Sequence, residues 1–407
     1  LKEFILAKKD QKQDPGYRVP MSSPDLTQAE REVVAQVLET PRLSMGPYEE
    51  AFESAVKEYA GVRHAVAVSS GTAGLHLCVR AAGISDGDWV ITTPFSFVAS
   101  ANVILYERAV PIFIDVEERT GNIDVTLVEE AAKDLMAGGH PAERWLPRKG
   151  VEREGALKAI LPVDVFGQPA DYDSIHKIAA QFELSVIEDS CEALGSTYKG
   201  RKTGTFGDTG IYAFYPNKQI TTAEGGVIVT NHDGWASMMR SMRNQGRAPG
   251  DTWLTHKYLG YNYRLNELSA ALGAVQMTRV DELINKRGQV AQWYMDRLEE
   301  LQGIEGPQVV PTTTRMSWFV FVVRFDPEID RNRVVGLLKQ KGIPARPYFI
   351  PIHLQEYMME RFGYEEGNFP ITEDLGRRGL ALPFSSVMTL EQVEEVCQAL
   401  RDVLEVL

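Results

Sequence analysis

Between about residue 60 and residue 230, short apolar runs alternate with stretches in which apolar residues recur at helical spacing. His64–Val68, Trp89–Thr92, Val110–Asp115, Ala159–Phe166, Ser185–Glu188, Gly210–Tyr215 and Val227–Thr230 read as strands. Ala73–Ala82, Phe97–Glu107 and Tyr172–Phe182 read as helices. Apolar strands alternating with helices imply an α/β fold, with a mostly parallel seven-stranded sheet covered on both faces. Ahead of it, Thr27 followed by Glu30 has the form of a capping box opening a helix.

After Asn262 the pattern changes to one long helical stretch, about Leu265 to Leu301, with few breakers. Beyond it, Trp318–Phe325 reads as a strand and Arg331–Lys341 as a helix stopped by Gly342. Thr389 with Gln392 opens a last helix. The chain therefore divides into a large α/β domain over residues 1–264 and a bridging helix with a smaller α+β domain over 265–407. Ala137–Glu154, rich in Gly, Pro and alternating charge, reads as a surface loop.

Composition narrows the classes. The chain has 407 residues, 44% hydrophobic and 24% charged, enough for two cores. A formal net charge of −13 argues against a broad basic surface for nucleic acid, while leaving room for a local pocket that takes a small anion. Cys78, Cys191 and Cys397 are few, odd in number and widely spaced, which fits neither a disulfide framework nor a zinc site. No metal and a cytoplasmic location are expected. No apolar run reaches the length of a membrane span, and the charged start (Lys2, Glu3, Lys8, Lys9, Asp10) lacks the apolar stretch of a signal peptide.

Three features carry chemistry. Ser69–Ala73 ends one strand and opens a helix, where free amides and the positive end of the dipole make an anion site; Ser and Thr there also simply cap the helix. Ile187–Ser190 ends an apolar strand in adjacent carboxylates, at the sheet edge where α/β proteins bind ligands, although Asp is equally an ordinary turn former. Lys218 follows the apolar strand Gly210–Tyr215 and precedes the turn Glu224–Gly226. A lysine at the mouth of a buried strand is partly desolvated, which favours the neutral amine required of a nucleophile; the plain alternative is a solvated surface lysine. All three features fall at strand ends of one sheet, so they can converge on a single flat ligand.

With Leu43–Pro47, Ser70–Thr72, Glu188–Asp189, Lys218, Glu224–Gly226, Leu259–Arg264 and Pro351–His353, the chain resembles the DegT/DnrJ/EryC1/StrS family of pyridoxal-phosphate sugar aminotransferases, which share the aspartate aminotransferase fold. The resemblance covers nearly the whole chain. It implies pyridoxal 5′-phosphate as cofactor, Lys218 as the Schiff-base lysine and proton shuttle, and Asp189 as the partner of the pyridinium nitrogen. Phe97 would stack on the cofactor ring, and the backbone of Gly71, Thr72 and Ala73 would cradle its phosphate; read alone, Phe97 is a core residue. Asn262 resembles the residue that reaches a phosphate in a neighbouring subunit, which implies a homodimer with shared active sites, though by itself it is a helix-entry residue. Glu224, Arg264, Tyr348 and His353 fall on the substrate side, with turn-setting the alternative for Glu224 and packing the alternative for His353. The implied reaction passes an amino group from L-glutamate to a nucleotide-linked keto-sugar, with a 4-keto-6-deoxyhexose favoured by Pro94–Asn102 and Leu259–Asn266, in amino-sugar, surface-polysaccharide or glycoside biosynthesis.

The chain departs from the family pattern in three places. Ala213 stands where many members have a Ser that binds the phosphate. Glu192 stands where Gln or His usually meets the cofactor's ring oxygen, and a carboxylate beside that oxygen is repulsive unless one group carries a proton. Ala137–Glu154 is longer and more charged than the corresponding loop, and surface decoration is the expected role. Sugar dehydratases of the family carry His in place of the lysine, a cofactor-binding sensor would not need the Lys218–Asp189 pair, and Cys397 reads as packing rather than as a sulfur-transfer nucleophile.

Overall fold

The computed structural model describes residues 16–152, 155–247 and 254–407, so the charged start and Arg153–Glu154 lie outside the described residues. Its large sheet is built from β1 (His64–Val68), β2 (Trp89–Thr92), β3 (Val110–Phe113), β4 (Leu157–Ile160), β5 (Ser185–Asp189), β6 (Thr209–Ala213) and β7 (Gly226–Thr230). Their spatial order is β1-β7-β6-β5-β4-β2-β3. Neighbours from β6 across to β3 pair parallel, while β7 is antiparallel to both β6 and β1. Six strands therefore point their C-terminal ends at one edge, the edge where such sheets bind ligands. The expected seven-stranded, mostly parallel sheet is present.

Helices cover both faces, as the unbroken burial of β2, β3 and β7 requires. The helix Gly71–Ala81 packs Leu75, Leu77 and Val79 with Val66, Val90 and Ile187, and Tyr172–Phe182 packs Ile175 and Ile178 with Ile112 and Ile160. A second core unites Tyr294 and Leu298 with Phe321, Leu380, Val396 and Leu400, around an antiparallel sheet ordered Ile304–Glu305, Phe321–Phe325, Gly379–Leu382, Arg346–Pro347. Val19 joins that second core, because the backbones of Arg18 and Met21 bond to Gly342 and Phe384. Among the described residues no helix is long and apolar enough to cross a membrane.

Several boundaries differ from the sequence reading. The bridging stretch is two helices, Glu267–Thr278 and Val280–Leu298, broken at Arg279, whose guanidinium binds Asp25, Glu30 and Glu282. The first packs on the large core through Ala270 and Met277, and the second enters the small core at Val290. β4 stops at Ile160 rather than running to Phe166, which sits at φ 59° in a short 3₁₀ turn. The strand expected from Trp318 begins at Phe321, since Trp318 has φ 51°. Ala137–Glu154 is not a plain surface loop: it holds the short helix Gly139–Glu143, buries Ala142 and Leu146, and ties Lys149 N–H to the Phe362 carbonyl at 3.2 Å. Both capping boxes, at Thr27 and Thr389, form as read.

Candidate active site

β1, β5 and β6 deliver their chemistry to one sheet edge. Ser70 leaves β1 in extended backbone and caps the helix Gly71–Ala81 by accepting from the Ala73 amide at 3.1 Å. Gly71 is required there: a Cβ on it would stand 2.7 Å from the Ala213 Cβ and 3.0 Å from the Cys191 Sγ. The amides of Gly71 and Thr72, first in the helix, point out of the intrahelical ladder toward the sheet edge. Ala73, the third residue of the expected cradle, gives its amide to Ser70 and is not among the residues that line the cavity.

Asp189 ends β5 and is buried. Its Oδ2 accepts from the Ser100 hydroxyl at 2.8 Å and its Oδ1 from the Cys191 amide at 3.2 Å, while Ser100 is also 2.9 Å from the Ser96 hydroxyl. The neighbouring Glu188 faces the opposite way: its carboxylate accepts from the Gly204 amide at 2.7 Å and from the Gly207 amide, and burial pushes it up to about 8. Of the two carboxylates that end the strand, Asp189 alone lines the cavity.

Lys218 sits on the loop between β6 and β7. Its Nζ lies 3.6 Å from Glu192 Oε1 and 3.7 Å from the centroid of the Phe319 ring. The loop is held from behind by Arg287, 2% exposed, whose guanidinium donates to the carbonyls of Asn217 and Lys218 at 3.0 and 2.5 Å and to those of Trp318 and Phe319 at 3.2 and 3.1 Å. Glu192 is fixed in turn by the Phe166 amide at 2.9 Å. Burial pushes the Glu192 carboxyl above the ordinary carboxylate value, against the opposite pull of Lys218, so a proton on this group is easier than in water.

These side chains surround a cavity of about 490 Å³, within the range of small-ligand sites. Gly71, Thr72, Phe97, Asp189, Glu192, Lys218, Glu224 and Tyr348 line it, as do Ala213, Ser96, Cys191, Phe319 and Arg346. Phe97 is 63% exposed, so it is a ring presented to the cavity and not the core residue that the chain alone suggested. Burial holds the Tyr348 hydroxyl in its neutral form. His353 is fully buried, 2.9 Å from Glu373 and packed on Phe369, and is not among the residues that line the cavity. Arg264 is likewise outside the lining and bonds Asn244 at 3.0 Å, and Asn262 is exposed on the same segment. Cys397 is buried in the small core.

Sequence reasoning missed Ser100, Arg287 and Phe319. Only Arg287 left a readable signal, as a charged residue on the apolar stripe Leu283, Ile284, Val290, Ala291 and Tyr294.

The residues fit pyridoxal phosphate. Two unladdered amides at a helix N-terminus suit a phosphate, a buried carboxylate suits a ring N–H, and an exposed phenyl ring suits a flat face. Asn217 Oδ1, buried and without a partner on the same wall, leaves an amide whose other rotamer turns a donor that way, where Ala213 offers none.

Residues 24–401 match the model of the DegT/DnrJ/EryC1/StrS aminotransferase family. The chain is 36% identical over 391 residues to a GDP-perosamine synthase of Caulobacter vibrioides, covering 95% of this chain and 98% of that protein. Among solved structures it is similar to Helicobacter pylori PseC, an aminotransferase of pseudoaminic acid biosynthesis (27% identity, TM-score 0.84, 96% and 100% of the two chains). It is similar also to S. venezuelae DesV, solved with a ketimine intermediate (29% identity, TM-score 0.83, 96% and 99%). The likenesses run through the whole of both its cores: the chain belongs to the DegT/DnrJ/EryC1/StrS family of pyridoxal-phosphate-dependent sugar aminotransferases.

Proposed function

We propose that this chain moves an amino group from L-glutamate to a nucleotide-linked keto-sugar, a 4-keto-6-deoxyhexose, in the cytoplasm and as a homodimer with shared active sites. The observation that carries the reading is the convergence of Lys218, Asp189 and the amides of Gly71 and Thr72 on one cavity. The name GDP-perosamine synthase, borne by relatives at 36%, 34% and 31% identity, supports a nucleotide-linked acceptor. Exposed Asn262 is available to a neighbouring subunit's site.

When bound, pyridoxal phosphate supplies an electron sink for the charge left at a carbon that loses a proton. This chain's residues do the rest. Gly71 and Thr72 hold the phosphate through their amides, and Phe97 covers the ring face. Asp189, locked by Ser100 and Cys191, keeps a proton on the ring nitrogen and so keeps the sink open. Lys218 would anchor the cofactor and, once released, serve as the base that carries the proton leaving the donor's α-carbon. Glu192 and Phe319 hold the lysine ammonium in place between these roles, and Tyr348 and Glu224 face the sugar.

The test is the absorption spectrum of the purified holoenzyme before and after glutamate, with Lys218→Ala beside it. A lysine-dependent band that glutamate converts to the amine form of the cofactor is expected, followed by its return on addition of a nucleotide-linked keto-sugar. A band indifferent to glutamate would reject the donor, and full transaminase activity in Lys218→Ala would reject the central assignment.

A further inference from the structure

Arg346 stands apart from the other charges of the site. It lies on the edge strand Arg346–Pro347 of the small sheet, is exposed, and reaches the wall of the catalytic cavity. Among the described residues no hydrogen bond or ion pair engages its guanidinium. The other cation lining the cavity, Lys218, is already held by Glu192 and Phe319. Asp189, Glu192 and Glu224 line the same cavity, so an anion beyond the one that the Gly71 and Thr72 amides receive is held best at the exposed end, where Arg346 is.

A second recess of about 230 Å³ begins at the same residue. It is lined by Tyr17, Val19, Pro20, Met21, Pro344, Ala345 and Arg346, and Arg346 is the one residue common to both linings. The recess presents polar atoms beside apolar side chains and one tyrosine ring, and so suits a flat heterocycle that carries hydrogen-bonding edges. A space on the far side of the arginine serves only a ligand longer than an amino acid.

We propose that Arg346 is a specificity-determining anion anchor that grips the diphosphate of the nucleotide-linked sugar, with the Tyr17–Met21 recess taking the nucleoside beyond it. The guanidinium fork matches two phosphate oxygens at once, and an arginine that carries no internal partner gives none up on binding. The inference rests on the nucleotide-linked reading above.

It is tested by calorimetric titration of UDP, dTDP, GDP and CDP, and separately of glutarate, into the holoenzyme, Arg346→Ala and Arg346→Lys. Arg346→Ala should weaken the diphosphate that binds best by about tenfold or more, with Arg346→Lys between it and the wild type, because lysine keeps the charge and loses the fork. Glutarate should change by less than about twofold if Arg346 serves the diphosphate alone. Unchanged diphosphate binding in Arg346→Ala would overturn the proposal, and so would equal weakening of glutarate, which would make Arg346 the amino donor's anchor. Should Arg346→Ala not fold, Arg346→Lys decides alone: diphosphate binding equal to the wild type overturns the proposal. A wild-type protein that binds none of the four diphosphates would fail the nucleotide-linked reading itself, a result no Arg346 variant can mimic.

Discussion

Asp189 illustrates how much of a catalytic group's behaviour comes from its neighbours. Position alone, at the end of an apolar strand, makes it a candidate, but its oxygens are aimed by Ser100 and by the Cys191 amide. Asp189→Asn keeps the shape and removes the charge that favours a ring N–H, so cofactor binding should change little while turnover falls about a hundredfold or more. Ser100→Ala should cost less, about tenfold in kcat/KM, as one hydrogen bond to a charged group is lost. Steady-state kinetics alongside a cofactor titration checks both, and Ser100→Ala turning over as wild type would show that the Cys191 amide aims the carboxylate unaided. Lys218 and Asp189 were legible in the sequence because Asp189 closes an apolar strand and Lys218 lies in the loop that leaves another. Ser100 was not, because its facing depends on where a short helix begins, and the chain carries no capping residue to mark that start: Val98 leads into it with no side-chain hydrogen bond.

At the scale of elements, the strands were read almost to the residue, and the failures share a cause. β4 and the strand at Phe321 fall short of residues with uncommon backbone angles, Phe166 and Trp318, and the bridging helix breaks at Arg279, whose partners Asp25 and Glu30 are far away in sequence. Local periodicity carries no trace of a partner more than two hundred residues away, as Asp25 is from Arg279. Arg287 is the most consequential such link, since one buried guanidinium ties the helix Val280–Leu298 to the lysine loop and to the segment that places Phe319 over Lys218. Burial lowers its guanidinium to about 10, still charged at neutral pH. Arg287→Met would leave four carbonyls without their donor and should destabilise the protein by about 3–5 kcal/mol, read from the urea midpoint. Cofactor affinity should fall with it. A stability loss with affinity intact would mean that the lysine loop keeps its shape without the arginine.

For the molecule as a whole, two opposed sets of carboxylates shape the dependence of stability on pH. Against the upward push of burial, hydrogen bonds from Thr27 and Gln276 hold the Glu30 carboxyl down at about 2, below the ordinary glutamate value, with Arg279 paired to it. Its contribution is present above about pH 4.5 and is lost as pH falls through 2. Asp164 and Glu188 behave in the opposite sense. Both are fully buried, both lie near the Tyr172 hydroxyl, and burial raises them from 3.8 and 4.5 to about 7 and about 8. The folded protein therefore keeps protons that the unfolded chain has released, so the contribution of these groups is full below about pH 4 and drains away as pH rises through 7 to 8. They titrate as an interacting pair, and between those limits each costs up to roughly 1.4 kcal/mol per pH unit. Stability measured by urea unfolding should peak near pH 5 and decline toward pH 8. Asp164→Asn, which has no proton to keep, should be less stable at pH 5, because it loses an acceptor for Tyr172 or Ser190, yet should decline less steeply with pH. A wild-type profile flat from pH 5 to 8 would mean that the pair is ionised in the fold, with the surrounding amides and hydroxyls, and not a proton, holding its charge.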